Sequence, residues 1–518
     1  MSELSNEQFE WLHGLCFIDP HRAISVIREW ETKFADDPNF FLNKSSLLID
    51  AGSALRDPKV IEQGIALLEE EKERNRGDLG CNKWFNLGNG YYAAEAAKRG
   101  PGNVYSPTDT PMAKAKECYR KAIGKVSDED LEFRASLQVN YGNTLDELWR
   151  LMEAIDEYEQ ALEIHPEHPI AWMRIGNCLM KLAESALNPQ LIQDAIEAFT
   201  EALQDDRLER FGYGHERQSI QKFQIQARKR LQQVGGITTK NHHQLKIPTS
   251  YNRDFVEYCT QHRLFLNFSL WRRPSPHPYE DSFRLTLVTR IDDDTKLNRL
   301  VRVFNELTER FAIARLLLFE ANSTPYDTTF FDTITRYIDL SDCSVYGIRA
   351  AKLKLSLENA YNVLDKIALF LNDYLELGMT ESSIYFFNIW KDPKSLNLRT
   401  PILDRDNTFL YALYDLSCDL EKDGYLEHHK QLRNTSTHRY FVLHAFQEWD
   451  WKISDGSDYH SEWVEFLEHA QKLLYLVRNA LMYLIAGIDL EERVKKLGME
   501  KVYKVPGFRL HDSEFPLF

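Results

Sequence analysis

The sequence predicts an all-α protein with two parts, an N-terminal array of helical repeats and a C-terminal helix bundle. The first observation is a period of 34 residues in the N-terminal half. The second is a set of four or five amphipathic helical patterns in the C-terminal half that lack this period. We place the repeat array at residues 1–235, a linker with room for a short hairpin at 236–290, and the bundle at 291–518.

The repeat is clearest from Gly142 onward, because Gly176 follows it by 34 residues. Within this unit a fixed series of residues follows Gly142 by 12, 16, 19 and 24 positions: Ala154, Tyr158, Ala161 and Pro166. These offsets resemble those of the tetratricopeptide repeat. We expect Gly142 and Ala154 to let two antiparallel helices approach closely, and Tyr158 to fill the space between units.

Neighbouring segments extend the array on both sides. The next unit keeps the spacing at Ala195, Phe199 and Ala202, an earlier unit begins at Trp84, and residues 38–75 fit a degenerate one. One unit cannot bury its apolar face alone, so several stack into a curved solenoid with a concave surface. That surface is either a structural scaffold or a groove that binds a protein or peptide partner and senses a trigger.

Composition narrows the class of protein. The net charge of -16 means that any contact with nucleic acid would be local. Seven cysteines without a CxxC pair argue against a disulfide frame or a zinc site and favour a reducing, cytoplasmic environment.

The first residues do not resemble a signal peptide, and the most apolar stretch, 473–488, predicts a buried helix rather than contact with a membrane. The common catalytic and nucleotide-binding motifs do not occur, and we expect no metal or cofactor.

Five helical patterns make up the predicted bundle. The first opens with Asp293 and Asp294 as caps, the second spans about 345–377, and the third spans about 406–423. A fourth helix is predicted to begin near Thr435 and a fifth after Ser461.

Arg433, Asn434 and His438 lie between the third and fourth predicted helices, in the string R-N-x-x-x-H. This string in an all-helical bundle resembles the HEPN (higher eukaryotes and prokaryotes nucleotide-binding) superfamily over roughly residues 290–500. The resemblance implies a metal-independent endoribonuclease with these three residues as its catalytic core. It also implies a homodimer in which two motifs face each other, and a role as a toxin or phage-defence effector. Lys430 and Arg439 add positive charge for an RNA phosphate.

The local geometry agrees with this chemistry if the helix begins at residues 434–436. His438 would then lie in the first turn, where the helix dipole and the charge of Arg433 favour a neutral imidazole that can act as a base. His438 would take the proton of a 2'-hydroxyl, and Arg433 would stabilise the charge on the phosphoryl oxygens. Asn434 would orient the phosphate or the imidazole, and the product would carry a 2',3'-cyclic phosphate.

The motif also has a structural interpretation. His438 could cap a helix and Arg433 could be a surface ion-pair residue, in which case the chain is a non-catalytic scaffold or interaction protein. The same R-x4-H spacing occurs by accident from Arg210 to His215 in the repeat region. Arg478 and Asn479 repeat the first two residues of the motif without a following His, so they do not form a second site.

Overall fold

The protein is all-α, with helical repeats in its N-terminal part and a helical domain in its C-terminal part. The computed structural model describes residues 4–34, 37–70, 80–99, 110–186, 188–235, 250–267, 281, 285–289, 294–323, 343–421, 441–445, 459–497 and 503–504. The chain divides into two compact units. The first consists of Met1–Glu184 and Asn188–Ile237, and the second of Thr238–Phe518 together with Ser185–Leu187.

The N-terminal unit contains twelve α-helices in its described residues. They are α1 (Asn6–Ile18), α2 (Pro20–Lys33), α3 (Pro38–Leu55), α4 (Pro58–Glu70), α5 (Gly80–Lys98), α6 (Thr110–Ile123), α7 (Leu131–Glu147), α8 (Leu151–Ile164), α9 (Pro169–Ala186), α10 (Pro189–Ala202), α11 (Arg207–Arg210) and α12 (Arg217–Gln233). Consecutive helices pack as pairs from α1–α2 to α7–α8, and α10 packs against α12.

The pairs pack closely where a glycine of one helix faces an aromatic ring of the next. A Cβ atom built on Gly142 would lie 2.7 Å from the ring of Tyr158. The same contact joins Gly88 to Tyr119 and Gly176 to Phe199. This confirms the close approach predicted from the glycine positions. Tyr158 was expected between units, but it lies against Gly142 of its own helical pair, because the glycine leaves room for the ring there.

The pair α1–α2 was not predicted. Ser5 and Gln8 form a reciprocal capping box at the start of α1, and Asp19 caps α2 just before Pro20. Leu12, Cys16 and Ile27 are fully buried in this pair. Residues 38–75, predicted as a degenerate unit, contain the pair α3–α4.

The described part of the C-terminal unit has six α-helices and five short strands. The helices are α13 (Ser250–Gln261), α14 (Asp294–Asn322), α15 (Ile348–Leu375), α16 (Thr400–Leu403), α17 (Thr408–Asp419) and α18 (Trp463–Leu497). The strands are β1 (Val288–Thr289), β2 (Ser344–Val345), β3 (Phe441–His444), β4 (Tyr459–Glu462) and β5 (Tyr503–Lys504). Strand β1 pairs antiparallel with β5, and the other three form one sheet in the order β2-β3-β4.

The core of this unit is built from α14, α15 and α18, with α17 packed on α18. Asn407 fixes α17 to α18, since its side chain accepts from the N–H of Phe409 and donates to the carbonyl oxygen of Gly487 at 2.9 Å. Helix α18 is long and apolar enough to cross a membrane by length and composition alone. Its most apolar window is 83% buried, as expected for a core helix.

Four of the five predicted helices are found. The first three are α14, α15 and α17, and the helix predicted after Ser461 is α18. The helix predicted to begin near Thr435 does not extend over Phe441–His444, which is strand β3. A short apolar run such as Phe-Val-Leu is compatible with a buried strand as well as with a helix. Here its pairing with β2 and β4 makes it a strand. Within the predicted linker the structure has helix α13, while β1 pairs with residues near the C-terminus rather than in a local hairpin.

Candidate functional site

The predicted site residues lie outside the part of the chain that the structure describes: Arg433, Asn434, His438, Lys430 and Arg439. The description ends at Glu421 and resumes at Phe441, the first residue of β3. The roles of these five residues therefore stay predictions.

Strand β3 is the central strand of the three-stranded sheet. It runs antiparallel to β2 and parallel to β4. His444 lies opposite Ser344 on one side and Glu462 on the other. Because side chains alternate along a strand, His444 and Val442 share one face of the sheet, and His460 of β4, opposite Val442, shares that face.

His444 and His460 form a hydrogen-bonded pair on this face. The distance from Nε2 of His444 to Nδ1 of His460 is 2.9 Å, and the ring centroids are 5.1 Å apart. His444 is fully buried. In this contact one imidazole must donate an N–H and the other must accept it. Among the described residues, no group of three or more His, Cys, Asp or Glu side chains is placed to hold a metal ion.

Lys354 of α15 anchors the start of β3. Its Nζ donates to the carbonyl oxygen of Phe441 at 2.7 Å and lies 5.1 Å from the centroid of the Phe441 ring. On its other side the Phe441 ring packs against Phe466 of α18, with ring centroids 4.8 Å apart. Burial lowers the pKa of Lys354, while Glu358 raises it. The sheet therefore begins at a lysine whose position is fixed by both the backbone and a ring.

The other two sequences that resemble the motif have structural roles. Arg478 is fully buried in α18 and donates to the carbonyl oxygens of Phe265 and Asn267 and to Oδ1 of Asn479. It ties the segment after α13 to the core helix. Arg210 pairs with Glu167 on the surface of the N-terminal unit.

A second candidate site is a cavity of about 140 Å³ in the N-terminal unit, between helices α3, α5 and α7. Its polar lining consists of amide and hydroxyl groups and the carboxylate of Asp50. Oδ1 of Asn89 accepts from the hydroxyl of Tyr119 at 2.6 Å and from the amide of Asn140 at 3.1 Å. Oδ1 of Asn143 accepts from the hydroxyl of Tyr158 at 3.0 Å.

These contacts fix the orientation of two amide groups in the cavity. Because the oxygens of Asn89 and Asn143 accept from tyrosines, their N–H groups are the donors that remain for a ligand. Each asparagine directly follows the glycine on which the same tyrosine packs. In the third unit Phe199 replaces the tyrosine, so Asn177 has no equivalent hydroxyl. The repeat signature therefore places a hydrogen-bonding side chain beside each packing glycine.

Comparison with known families supports a HEPN-type domain in the C-terminal unit. Residues 291–491 match the family described as LA2681-like HEPN, which is about two fifths of the chain. No curated protein matches the chain. The match includes the R-N-x-x-x-H string, the sheet β2-β3-β4 and helices α14, α15 and α17. The tetratricopeptide character of the N-terminal repeats remains a resemblance in sequence.

Sequence reasoning missed His444, His460 and Lys354. His444 and His460 are 16 residues apart, and they meet only because β3 and β4 are parallel neighbours. Lys354 reaches Phe441 from a helix 87 residues earlier. The local sequence around each residue carries no signal for these contacts.

Proposed function

We propose that the C-terminal unit is a metal-independent endoribonuclease of the HEPN type, with Arg433, Asn434 and His438 as catalytic residues. The observation that carries the proposal is that the R-N-x-x-x-H string falls inside the residues that match a HEPN family. An Arg-x4-His spacing alone is weak evidence, as Arg210 and His215 illustrate. Its place within a matched domain is what separates the motif from that accidental copy.

The proposed reaction is a transesterification within RNA. His438 takes the proton of a 2'-hydroxyl, and that oxygen attacks the adjacent phosphorus while the bond to the 5'-oxygen breaks. The 5'-oxygen takes a proton from water as it leaves, so the products carry a 2',3'-cyclic phosphate and a 5'-hydroxyl. Arg433 stabilises the charge on the phosphoryl oxygens, and Asn434 orients the phosphate or the imidazole. Lys430 and Arg439 add local positive charge. Two copies in a homodimer would form one composite site.

The N-terminal repeats would control this nuclease. A ribonuclease that can harm its own cell must be inactive until a trigger arrives, which fits a toxin or phage-defence effector in the cytoplasm. We infer that the trigger is a protein or peptide that binds beside the oriented amides of Asn89 and Asn143. Amide N–H donors suit the carbonyl oxygens of an extended backbone. Such binding shifts activity only if it differs between the inactive and active states.

The alternative is a non-catalytic scaffold in which both units bind partners. The cavity in the N-terminal unit and the net charge of -16 favour it, because most nucleic-acid-binding surfaces are basic. In that case His438 and Arg433 would contribute only to local structure.

A cleavage assay on single-stranded RNA separates the two functions. We expect His438→Ala and Arg433→Ala each to reduce cleavage by roughly 10²-fold or more, since both groups act in the transition state. Cleavage by the wild type should persist in EDTA, and substrates with 2'-deoxyribose should be inert. The matched control is His215→Ala, which removes an exposed histidine at the same spacing from Arg210. Equal activity of His438→Ala and His215→Ala would contradict the assignment.

A further inference from the structure

Helix α12 has a composition unlike that of the rest of the chain. Its 17 residues include no Asp or Glu. They include five cations: Arg217, Lys222, Arg228, Lys229 and Arg230. Every other described helix of twelve or more residues contains at least one acidic residue. A helix of one charge sign on a chain with a net charge of -16 creates a local positive surface.

The packing of α12 turns two of these cations, Lys222 and Lys229, outward. Ile220 and Ala227 are fully buried against the preceding helices, and Gln224 donates to the hydroxyl of Thr200 in α10 at 2.8 Å. Lys222 and Lys229 lie on the opposite side of the helix, at about 180–200° from Ile220 for a rotation of about 100° per residue. They are seven residues apart, which is about 10.5 Å along the axis.

The outward cations are not neutralised by neighbouring carboxylates. Arg217 at the start of the helix pairs with Glu209 at 2.6 Å. Among the residues that the structure describes, no Asp or Glu lies within ion-pair distance of Lys222, Arg228 or Lys229. All three side chains are exposed. Gln226 and Gln233 lie on the same outer side and are exposed as well, so amide groups alternate with the charges.

We propose that the outer face of α12, defined by Lys222, Gln226, Lys229 and Gln233, binds the phosphate backbone of single-stranded RNA. The proposal rests on the ribonuclease function and adds a substrate contact in the N-terminal unit. Lysines neutralise phosphates, and glutamine amides can bond to sugar and base edges. A membrane surface fits less well, because an interfacial helix needs an exposed apolar face. Ile220 and Ala227 of α12 are buried. Phe223 and Ile225 are 36% and 50% exposed, but they lie about 160° apart around the helix and form no continuous apolar face.

The test measures binding of a fluorescent single-stranded RNA by the full chain carrying His438→Ala, which prevents cleavage. Adding Lys222→Gln and Lys229→Gln should weaken binding about tenfold at low salt. The slope of log K against log salt should fall in magnitude by about 1.4, for two phosphates at about 0.7 each. The matched control is Lys59→Gln with Lys98→Gln. It removes the same charge from exposed positions on α4 and α5.

The outcomes separate this proposal from the ribonuclease function. If the wild type cleaves RNA but the α12 variant binds with the affinity and salt slope of the control, the α12 surface is wrong and the nuclease stands. If the wild type never cleaves but binding depends on the two lysines, the surface stands and the nuclease falls. Loss of binding to phosphatidylserine vesicles, with RNA binding unchanged, would overturn the proposal in favour of a membrane contact. Circular dichroism must show equal helix content in both double variants.

Discussion

Gly142 shows how a single residue sets the spacing of a helical pair. Tyr158 is fully buried against it, and a Cβ atom at this position would lie 2.7 to 3.0 Å from three atoms of the ring. The hydroxyl of Tyr158 donates to Oδ1 of Asn143, the residue after Gly142, and this bond holds the ring in place. The glycine therefore serves both the packing of the pair and the orientation of an amide in the cavity.

We expect Gly142→Ala to destabilise the protein by about 1–2 kcal/mol. Overpacking costs about 1–3 kcal/mol, which outweighs the gain of up to about 1 kcal/mol from replacing a helical glycine. The control is Gly14→Ala in α1, where no atom lies within 4 Å of the new Cβ. That variant should be neutral or slightly more stable. Thermal unfolding of both variants tests this, and equal shifts would show that the ring contact does not determine stability.

Residue-level packing was the most predictable part of the N-terminal unit. Gly142 and Gly176, which follows it by 34 residues, both face an aromatic ring. This contact was predictable because the glycine and the ring belong to the same short pair of helices. The pair α1–α2 lacks that glycine and aromatic pattern, so only its caps could have indicated it. In the C-terminal unit the pair His444–His460 depends on strand pairing, which no local pattern specifies.

Helix α9 has an unusual cap. His168 precedes Pro169, and its Nδ1 accepts from the backbone N–H of Ala171 at 3.2 Å. Burial, and then the neighbouring His165, lower the pKa of His168 to about 4. Only the neutral ring with its proton on Nε2 can accept in this way, so the cap depends on the protonation state.

The stability of the repeat unit should therefore fall in mild acid. The folded-state pKa of His168 is depressed, so its contribution is complete above the unfolded value of 6.5 and is lost as pH falls toward about 4. His168→Asn keeps a capping oxygen and removes the titration. Between about pH 7 and pH 4.5, the wild type should lose about 1–3 kcal/mol more than the variant. Parallel unfolding curves across this range would show that the cap does not titrate.

Strand β3 is the element that sequence reasoning assigned wrongly. Phe441, Val442 and Leu443 are all buried, a continuous apolar run that suits either a buried strand or a helix. The decisive contacts come from β2 and β4, which lie about 100 residues before and about 15 after it in sequence. The long helices α14 and α15 were predictable because apolar residues recur along each at helical spacing. Helix α18 was predictable from its long apolar run, which is buried on all sides from Leu476 to Ile488.

On the scale of the whole molecule, charge and chemistry are divided between the two units. The string Arg433–His438 and the family match belong to the C-terminal unit, while the amide-lined cavity and the basic helix α12 belong to the N-terminal unit. The sequence predicted a boundary near residue 235, and the compact units meet in sequence at Ile237 and Thr238. The last helix of the N-terminal unit ends at Gln233, and Gly235, which has a positive φ of 84°, follows it.

This division leads to a prediction about control. Removing residues 1–235 should leave the catalytic residues competent, because helices α14, α15, α17 and α18 form their own core in the C-terminal unit. The truncated chain should either cleave RNA constitutively or fail to respond to a trigger that activates the full chain. The same truncation carrying His438→Ala is the control for contaminating nucleases. The measurement compares both chains on one RNA, with and without lysate from infected cells.

If the truncated chain folds and dimerises but never cleaves, while the full chain cleaves without a trigger, the repeats belong to the substrate site and do not act as a separate regulator. The α12 surface would then account for that dependence, and Lys222→Gln with Lys229→Gln in the full chain should reproduce the loss.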